Sequence, residues 1–309
     1  MKIYIILLLV LLFIFGCGKT QKKIIIFHAG SLSKPMEELK NAFTKKYPEY
    51  EVIMESAGSR ACCRKVTDLH RDADIIFSAD YKVFDDLLIP DYADWYIDYA
   101  VNKVVIAYTD HSKYSDEINE KNWFDILARK NVEFGHSDPN LDPAGYRTLM
   151  CWQLANKYYG KDILSLLDNA CKSENIRPGS VQLLSMLQNY SLDYAFEYES
   201  VCMQHHLKYV ELPDEIDLSN QNFSEKYAKA SVKVTGKDKG TFSVISGSPI
   251  VYAITILKHA KNKEGAIKFL DFLLSDEGRK IFSDNQSLLS KPIAGGSGTI
   301  PKELIKYME

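Results

Sequence analysis

Short β-branched or apolar runs alternate with amphipathic stretches of helical period along most of this chain. Ile24 to Phe27 predicts a first strand, Gly30-Ser31 a small-residue turn, and Pro35 to Lys46 a helix. Proline suits a first helical turn, and Met36, Leu39, Ala42 and Phe43 are spaced for one face. Val52 to Met54, the turn Gly58-Ser59 and a helix from Arg60 to Arg71 repeat the unit. Ala73 to Phe77, with a helix near Tyr81 to Leu88, repeats it again. Strands alternating with helices at this spacing predict an α/β fold whose sheet is parallel and covered on both faces.

A second series begins at Val104 to Tyr108. It continues through helix Trp123 to Ala128, strand Val132 to Gly135, the polar turn Ser137 to Pro143 and helix Ala144 to Tyr158. Helices near Ile163 to Ala170 and Val181 to Gln188 follow, then strand Tyr194 to Glu197 and a long apolar strand, Ile250 to Leu257. Helices Glu264 to Leu274 and Glu277 to Phe282 precede a Gly/Ser-rich tail at Ala294 to Thr299. The repeat is one of architecture, not of sequence. Two α/β lobes around a ligand cleft are expected, lobe I from residues 24–103 plus about 262–309 and lobe II from 104–261. In such sheets ligands sit where strand carboxyl ends meet helix amino ends.

The first residues carry a different message. After Lys2, Ile3 to Phe15 is apolar apart from Tyr4, and Gly16-Cys17-Gly18-Lys19 closes the run. A transmembrane helix needs roughly 20 apolar residues, so this shorter stretch reads as a secretory signal. Ile14-Phe15-Gly16 before the cysteine resembles a lipobox, which makes residues 1–17 a signal peptide ending at a lipidated Cys17, with 18–23 as a tether. One lipid chain anchors only marginally, so two or more on Cys17 would hold the domain at the extracellular face of the cell membrane. An uncleaved anchor helix is the alternative, and it leaves the domain on the same side.

Charge and cysteine usage narrow the classes further. The formal net charge is −3, and no Lys/Arg stripe marks a nucleic-acid face. Five cysteines follow Cys17, namely Cys62, Cys63, Cys151, Cys171 and Cys202, and none has the C-x-x-C spacing of a structural zinc site. An odd number cannot all pair; a Cys151–Cys171 bridge and buried free thiols are both open readings.

Small polar turns stand at corresponding places in the units: Gly30-Ser31, Gly58-Ser59, Asp142-Pro143-Ala144-Gly145 and Pro178-Gly179-Ser180. Each lies where a helix begins, so each presents unsatisfied backbone N–H groups at the positive end of a helix dipole. Any one alone is an ordinary N-cap. Repeated and converging, they would hold an anion; each dipole contributes roughly 0.3–1 kcal/mol when exposed and up to about 2 when partly buried. Ser31 and Ser59 have no histidine base beside them in the motif, so catalysis is not expected.

These turns and their flanks resemble the molybdate- and tungstate-binding proteins of archaeal ABC transporters, nearly from Ile24 to the C-terminus. The stretches that carry the resemblance are Phe27 to Leu32, Ala57-Gly58-Ser59, Ala73 to Ile76 with Ala79-Asp80-Tyr81, Asp142 to Arg147, Asp193 to Tyr198 with Ser200-Val201, and Gln204-His205 leading to Glu211-Leu212-Pro213. The resemblance implies a type II periplasmic-binding-protein fold with an oxyanion, tungstate or molybdate, in the interlobe cleft and no other cofactor. It also implies delivery to an ABC permease and its ATPase by a monomeric receptor. Carried over position by position, Ser31 and Ser59 donate from the first lobe, and Ala144 or Gly145 and Ser180 supply N–H groups from the second, with Tyr198 its phenol. Asp142 is the candidate contact to the metal atom of the oxyanion.

The chain departs from the family pattern after Arg177-Pro178-Gly179, where Ser180 stands in place of a glutamate. That puts six-coordination of the metal in doubt, because a single carboxylate, Asp142, is left. Glu174, Glu197 and Glu199 are the neighbouring carboxylates that offer a substitute, and the sequence does not place them. Sulfate, phosphate or a small organic anion stays open as alternative cargo, and a secreted hydrolase using a serine and Asp142 is the rival from another class. His205-His206 reads as surface or hinge packing, Cys62-Cys63 as one thiol in the core and the other near its edge with a redox role as the alternative, and Arg60, Arg64 and Lys65 as a solvated helix face or a local attractive potential.

Overall fold

The computed structural model describes residues 21–308, so the signal segment and Cys17 lie outside the described residues. In chain order the first elements are β1 (Lys22–Ala29), α1 (Ser33–Lys46), β2 (Tyr50–Ala57), α2 (Ser59–Thr67), β3 (Ile75–Ser78), α3 (Lys82–Leu87) and β4 (Trp95–Asn102). Then come β5 (Val104–Tyr108), α4 (Trp123–Leu127), β6 (Phe134–Ser137), α5 (Pro143–Tyr159), α6 (Ile163–Ala170), β7 (Ile176–Arg177), α7 (Ser180–Gln188), β8 (Tyr194–Tyr198), α8 (Glu199–His205) and β9 (Lys208–Glu211). The chain closes with α9 (Ser224–Tyr227), β10 (Ser231–Thr235), β11 (Phe242–Ser246), β12 (Ile250–Ile256), α10 (Lys263–Leu274), α11 (Asp276–Ser283), β13 (Ser287–Gly296) and α12 (Lys302–Ile305).

Local chemistry accounts for the element ends. Met36, Leu39 and Phe43 of α1 are fully buried, as their spacing requires, and Pro35 sits in the first turn. Asp142 caps α5 by accepting from the Ala144 N–H at 2.9 Å, with Pro143 as the first helical residue. Gly160 ends α5 at φ 65, a left-handed conformation that favours glycine. Asn262 caps α10 and Ser275 caps α11 in the same way as Asp142.

Two main sheets result. One has six strands in the order β13-β4-β12-β3-β1-β2, the other five in the order β7-β6-β8-β5-β9. β1 runs parallel to both β2 and β3, and β6 runs parallel to both β7 and β8. Both sheets are nonetheless mixed. β12 is antiparallel to β3 and β4, and β5 is antiparallel to β8 and β9, which corrects the all-parallel expectation. β12 returns to the six-stranded sheet from the later part of the chain, and β5 enters the five-stranded sheet directly after β4 of the other one.

The second crossing also lies earlier than expected. Ile250 to Ile256 pairs with β3 and β4, so the chain re-enters the six-stranded sheet before Ile250 and not near residue 262. The Gly/Ser-rich stretch read as a tail is partly strand: Ala294, Gly295 and Gly296 pair with Ile97, Tyr96 and Trp95. A Cβ at Gly295 would lie 2.0 Å from the Tyr96 ring, which is why a side chain is missing there.

A two-stranded ribbon, β10–β11, ties the halves together on the outside. Gln153 of α5 exchanges hydrogen bonds with the Ser231 backbone, and Lys82 of α3 donates to the Ser246 carbonyl. Arg60 is fully buried beneath it, paired with Asp86 at 2.8 Å and donating to the Thr235 carbonyl at 2.5 Å. Arg60 is therefore a structural clamp, neither a solvated residue nor an anion attractor. The cysteines Cys62, Cys63, Cys151 and Cys202 are buried and Cys171 half-buried, and all five are free, so no Cys151–Cys171 bridge forms.

Candidate functional site

All four small turns open helices, as expected. Gly30-Ser31 forms a single tight turn leading into α1, Gly58 precedes α2, Asp142 precedes α5 and Gly179 precedes α7. The helices of the two halves face each other. A small cavity between them is lined by Gly30, Gly58, Gly179 and Ser180. Glycine is needed at Gly58 because a Cβ there would stand 2.3 Å from the Leu141 carbonyl of the other half. The Ala61 N–H donates to that same carbonyl at 3.1 Å. A larger cavity under the β10–β11 ribbon, lined by Arg64, Asn140 and Lys237 among others, has none of these turns around it except at Leu141.

Three buried hydroxyls are arranged alike. The Ser59 oxygen accepts the Ala79 backbone N–H at 2.9 Å, which leaves its hydrogen to donate. The Tyr198 oxygen accepts from Arg147 Nη1 at 2.8 Å, with the same result. Ser31 lies 2.8 Å from the Tyr252 hydroxyl, and Tyr252 in turn accepts from Asn102 Nδ2 at 3.2 Å. The Asn102 amide is fixed in that sense because its Oδ1 accepts the Lys103 N–H at 3.0 Å. Among the described residues the Tyr252 hydroxyl has no acceptor other than Ser31, and with Tyr252 donating, the Ser31 hydrogen is free as well. Each scaffold donor occupies a lone pair and turns a hydroxyl into an outward donor.

Arg147 links the halves. It donates to the Ala79 carbonyl at 2.7 Å, and its Nη2 lies 3.0 Å from Asp80 Oδ2, with both side chains about 2% exposed. That Nη2 has the Asp80 charge close by but no aligned hydrogen bond. Tyr146 donates to the same Asp80 oxygen at 2.6 Å. Burial is the largest single influence on Arg147 and opposes its charge, but Asp80 together with Tyr198 and Tyr146 outweighs it and keeps the guanidinium ionised.

The two carboxyls of the second half behave differently from Asp80. Asp142 is fully buried, and burial pushes it up to about 6 against the opposing pull of the Ala144 N–H. Its Oδ2 faces Gly179, where a Cβ would come within 2.8 Å. The Gly145 N–H donates to the Asp142 carbonyl at 3.0 Å. Both N–H groups expected for a ligand, on Ala144 and Gly145, are thus held by Asp142 in this structure. Gly145 is glycine for another reason, since a Cβ would lie 2.2 Å from the Ser137 carbonyl.

Among the substitute carboxylates, Glu174 is exposed and Glu199 pairs with Lys103 at 2.9 Å. Glu197 alone reaches the site, accepting from the Ser180 hydroxyl at 2.8 Å. Burial, reinforced by the charge of Asp142, pushes its carboxyl up to about 8. Arg147, Tyr252 and Asn102 were not expected at the site, whereas Glu197 was one of the three substitute carboxylates that the sequence offered. Only Arg147 and Glu197 carried a sequence signal, as the flanks of the Asp142 and Tyr198 motifs. His205 ends α8 and His206 turns left-handed after it at φ 53, and among the described residues no group of three or more metal-holding side chains occurs.

Two mixed sheets whose helix amino ends meet across a small cavity give the architecture of a two-lobed α/β binding protein. Residues 24–285 match the family model for bacterial extracellular solute-binding proteins, and the chain belongs to that family. It is 47% identical over 290 residues to an uncharacterized solute-binding protein of Petrotoga mobilis, covering 93% of this chain and 90% of the relative. It is 42% identical over 321 residues to the molybdate/tungstate-binding protein WtpA of Pyrococcus abyssi, covering 94% and 91%. The fold is shared with the periplasmic molybdate-binding protein of Azotobacter vinelandii at TM-score 0.60 and 18% identity, over 87% of this chain and 100% of that one. The sulfate-binding protein SubI of Mycobacterium tuberculosis superposes at TM-score 0.57 and 12% identity, over 93% and 90%.

Proposed function

We propose that this protein is the extracytoplasmic receptor of an ABC importer and that it binds tungstate or molybdate between its lobes. The observation that carries this reading is the set of three buried hydroxyls, Ser31, Ser59 and Tyr198, each fed by a protein donor and each left with a hydrogen to give. A fully deprotonated tetrahedral anion offers only acceptors and matches such a shell. Relatives at 42% and 40% identity that are named molybdate/tungstate-binding proteins support the cargo.

In this reading Ser31 and Ser59 bind from lobe I, and Tyr198 and the N–H of Ser180 from lobe II. Asp142 approaches the metal atom or swings aside, and in doing so releases the Ala144 and Gly145 N–H groups. Contacts from both lobes give the ligand a higher affinity for the closed form, which is the condition for closure to follow binding. The permease and ATPase would recognise that closed form. The receptor would act as a monomer tethered through Cys17, without catalysis and without a resident cofactor.

Isothermal titration calorimetry of the full chain with tungstate, molybdate, sulfate and phosphate tests the reading. Tight binding of tungstate or molybdate alone supports it. Preference for sulfate or phosphate, or binding of none of the four, overturns the cargo.

A further inference from the structure

Glu197 holds the one carboxyl near the site that neither a salt bridge nor a helix cap explains. Its Oε2 accepts from the Ser180 hydroxyl at 2.8 Å and more weakly from the Tyr198 N–H at 3.4 Å. Its Oε1 is fully buried and has no hydrogen-bond partner among the described residues. A buried oxygen left unpaired has lost its water without compensation, so a partner is expected. The rest of the carboxyl is held within the candidate site: Oε2 is bound by Ser180 at the start of α7 and by Tyr198, next in sequence, and the carboxyl feels the charge of Asp142. The carboxyl also acts electrostatically on the buried Cys202 of α8. We propose that Glu197 is a ligand-contacting residue of the oxyanion site, presenting Oε1 as a hydrogen-bond donor to the bound anion while Ser180 holds Oε2. This rests on the receptor reading above.

Charge balance supports the donor form. Asp142, Glu197 and a dianion cannot all be ionised in one buried pocket whose nearest cation, Arg147, is already paired with Asp80. A proton on Glu197 removes one of those charges and supplies a fourth O–H beside the three hydroxyls. The upward push on this carboxyl means that the proton is present at neutral pH. The Ser180 hydroxyl cannot play that part, because its hydrogen goes to Oε2.

The test is calorimetry on the full chain with sodium tungstate, molybdate and sulfate near pH 7 and near pH 9, using wild type, Glu197→Gln, Glu197→Ala and Ser180→Ala. All three anions are fully deprotonated at both values. Glu197→Ala is expected to weaken binding at least tenfold near pH 7. Glu197→Gln, whose amide still donates, is expected to stay within about threefold of wild type. Near pH 9 wild type is expected to lose about tenfold while Glu197→Gln holds its affinity. A folded Glu197→Ala, judged by near-ultraviolet circular dichroism, that binds like wild type would overturn the proposal. So would an equal loss near pH 9 in wild type and Glu197→Gln, a comparison that decides the matter even if the alanine variant fails to fold. Absence of binding to any of the three anions by wild type would instead sink the receptor reading.

Discussion

Gly58-Ser59 and Gly179-Ser180 occupy the same place in the two sheets, each opening a helix after the outer of three parallel strands, yet their hydroxyls act in opposite senses. Ser59 accepts a backbone N–H from the end of β3, at Ala79, and keeps its hydrogen to donate. Ser180 gives its hydrogen to a carboxyl at the end of β8, Glu197. The position that supplies a donor in one lobe supplies an acceptor in the other, so the same dipeptide offers a free O–H on one side and holds a carboxyl on the other. A motif at a helix start fixes where the backbone N–H groups point; the neighbouring strand decides what the side chain is free to do.

The comparison breaks most severely at Arg147, the lobe II residue that reaches Ala79 and Asp80 beside Ser59. Arg147→Ala leaves Asp80 buried and uncompensated, and removing one partner of a buried pair costs about 3–5 kcal/mol. Urea unfolding should show that loss, and a variant as stable as wild type would mean that the pair contributes nothing. Gly58→Ala comes next. Its Cβ would meet the Leu141 carbonyl at 2.3 Å and hold the halves apart, so calorimetry should register an affinity loss of more than about 100-fold with little change in folding.

Single hydroxyls should matter less. Ser59→Ala and Tyr198→Phe each remove one donor to an anion, about 1.5–3 kcal/mol, or roughly 10- to 150-fold in Kd. Ser180→Ala should fall below both, and an equal effect for Ser59 and Ser180 would erase the difference between the lobes. The smallest effect is on the unliganded protein's response to pH. Asp142 and Glu197 carry folded values of about 6 and about 8, above their ordinary 3.8 and 4.5. The folded state therefore holds protons that the unfolded state has released, and stability falls as pH rises from about 4 to about 8. Thermal melts of Glu197→Gln should show a shallower decline than wild type over that window.

Much of the fold was legible in the sequence because strands and helices differ in hydrophobic period, and α1, α5, α10 and β1 follow their patterns closely. β4 was not legible: Asp98 and Asn102 interrupt its apolar run, and only pairing with β12 and β13 makes it a strand. The ribbon β10–β11 escaped for a related reason, since its outer face carries Lys233 and Thr235 beside the exposed Phe242 and Val244. Antiparallel pairing in both sheets was equally hidden, because strand direction depends on the path of the chain and not on the strand's own residues.

For the candidate site, the four turns with Ser31, Ser59 and Asp142 were legible in the sequence, because glycine, proline and capping residues act through their immediate neighbours, and Tyr198 was proposed from the resemblance. Tertiary structure alone decided which hydroxyls keep a hydrogen and that Glu197, among three nearby glutamates, stands beside Ser180. Those outcomes depend on partners 17 to 221 residues away along the chain, brought together by the crossing strands that local chemistry does not encode.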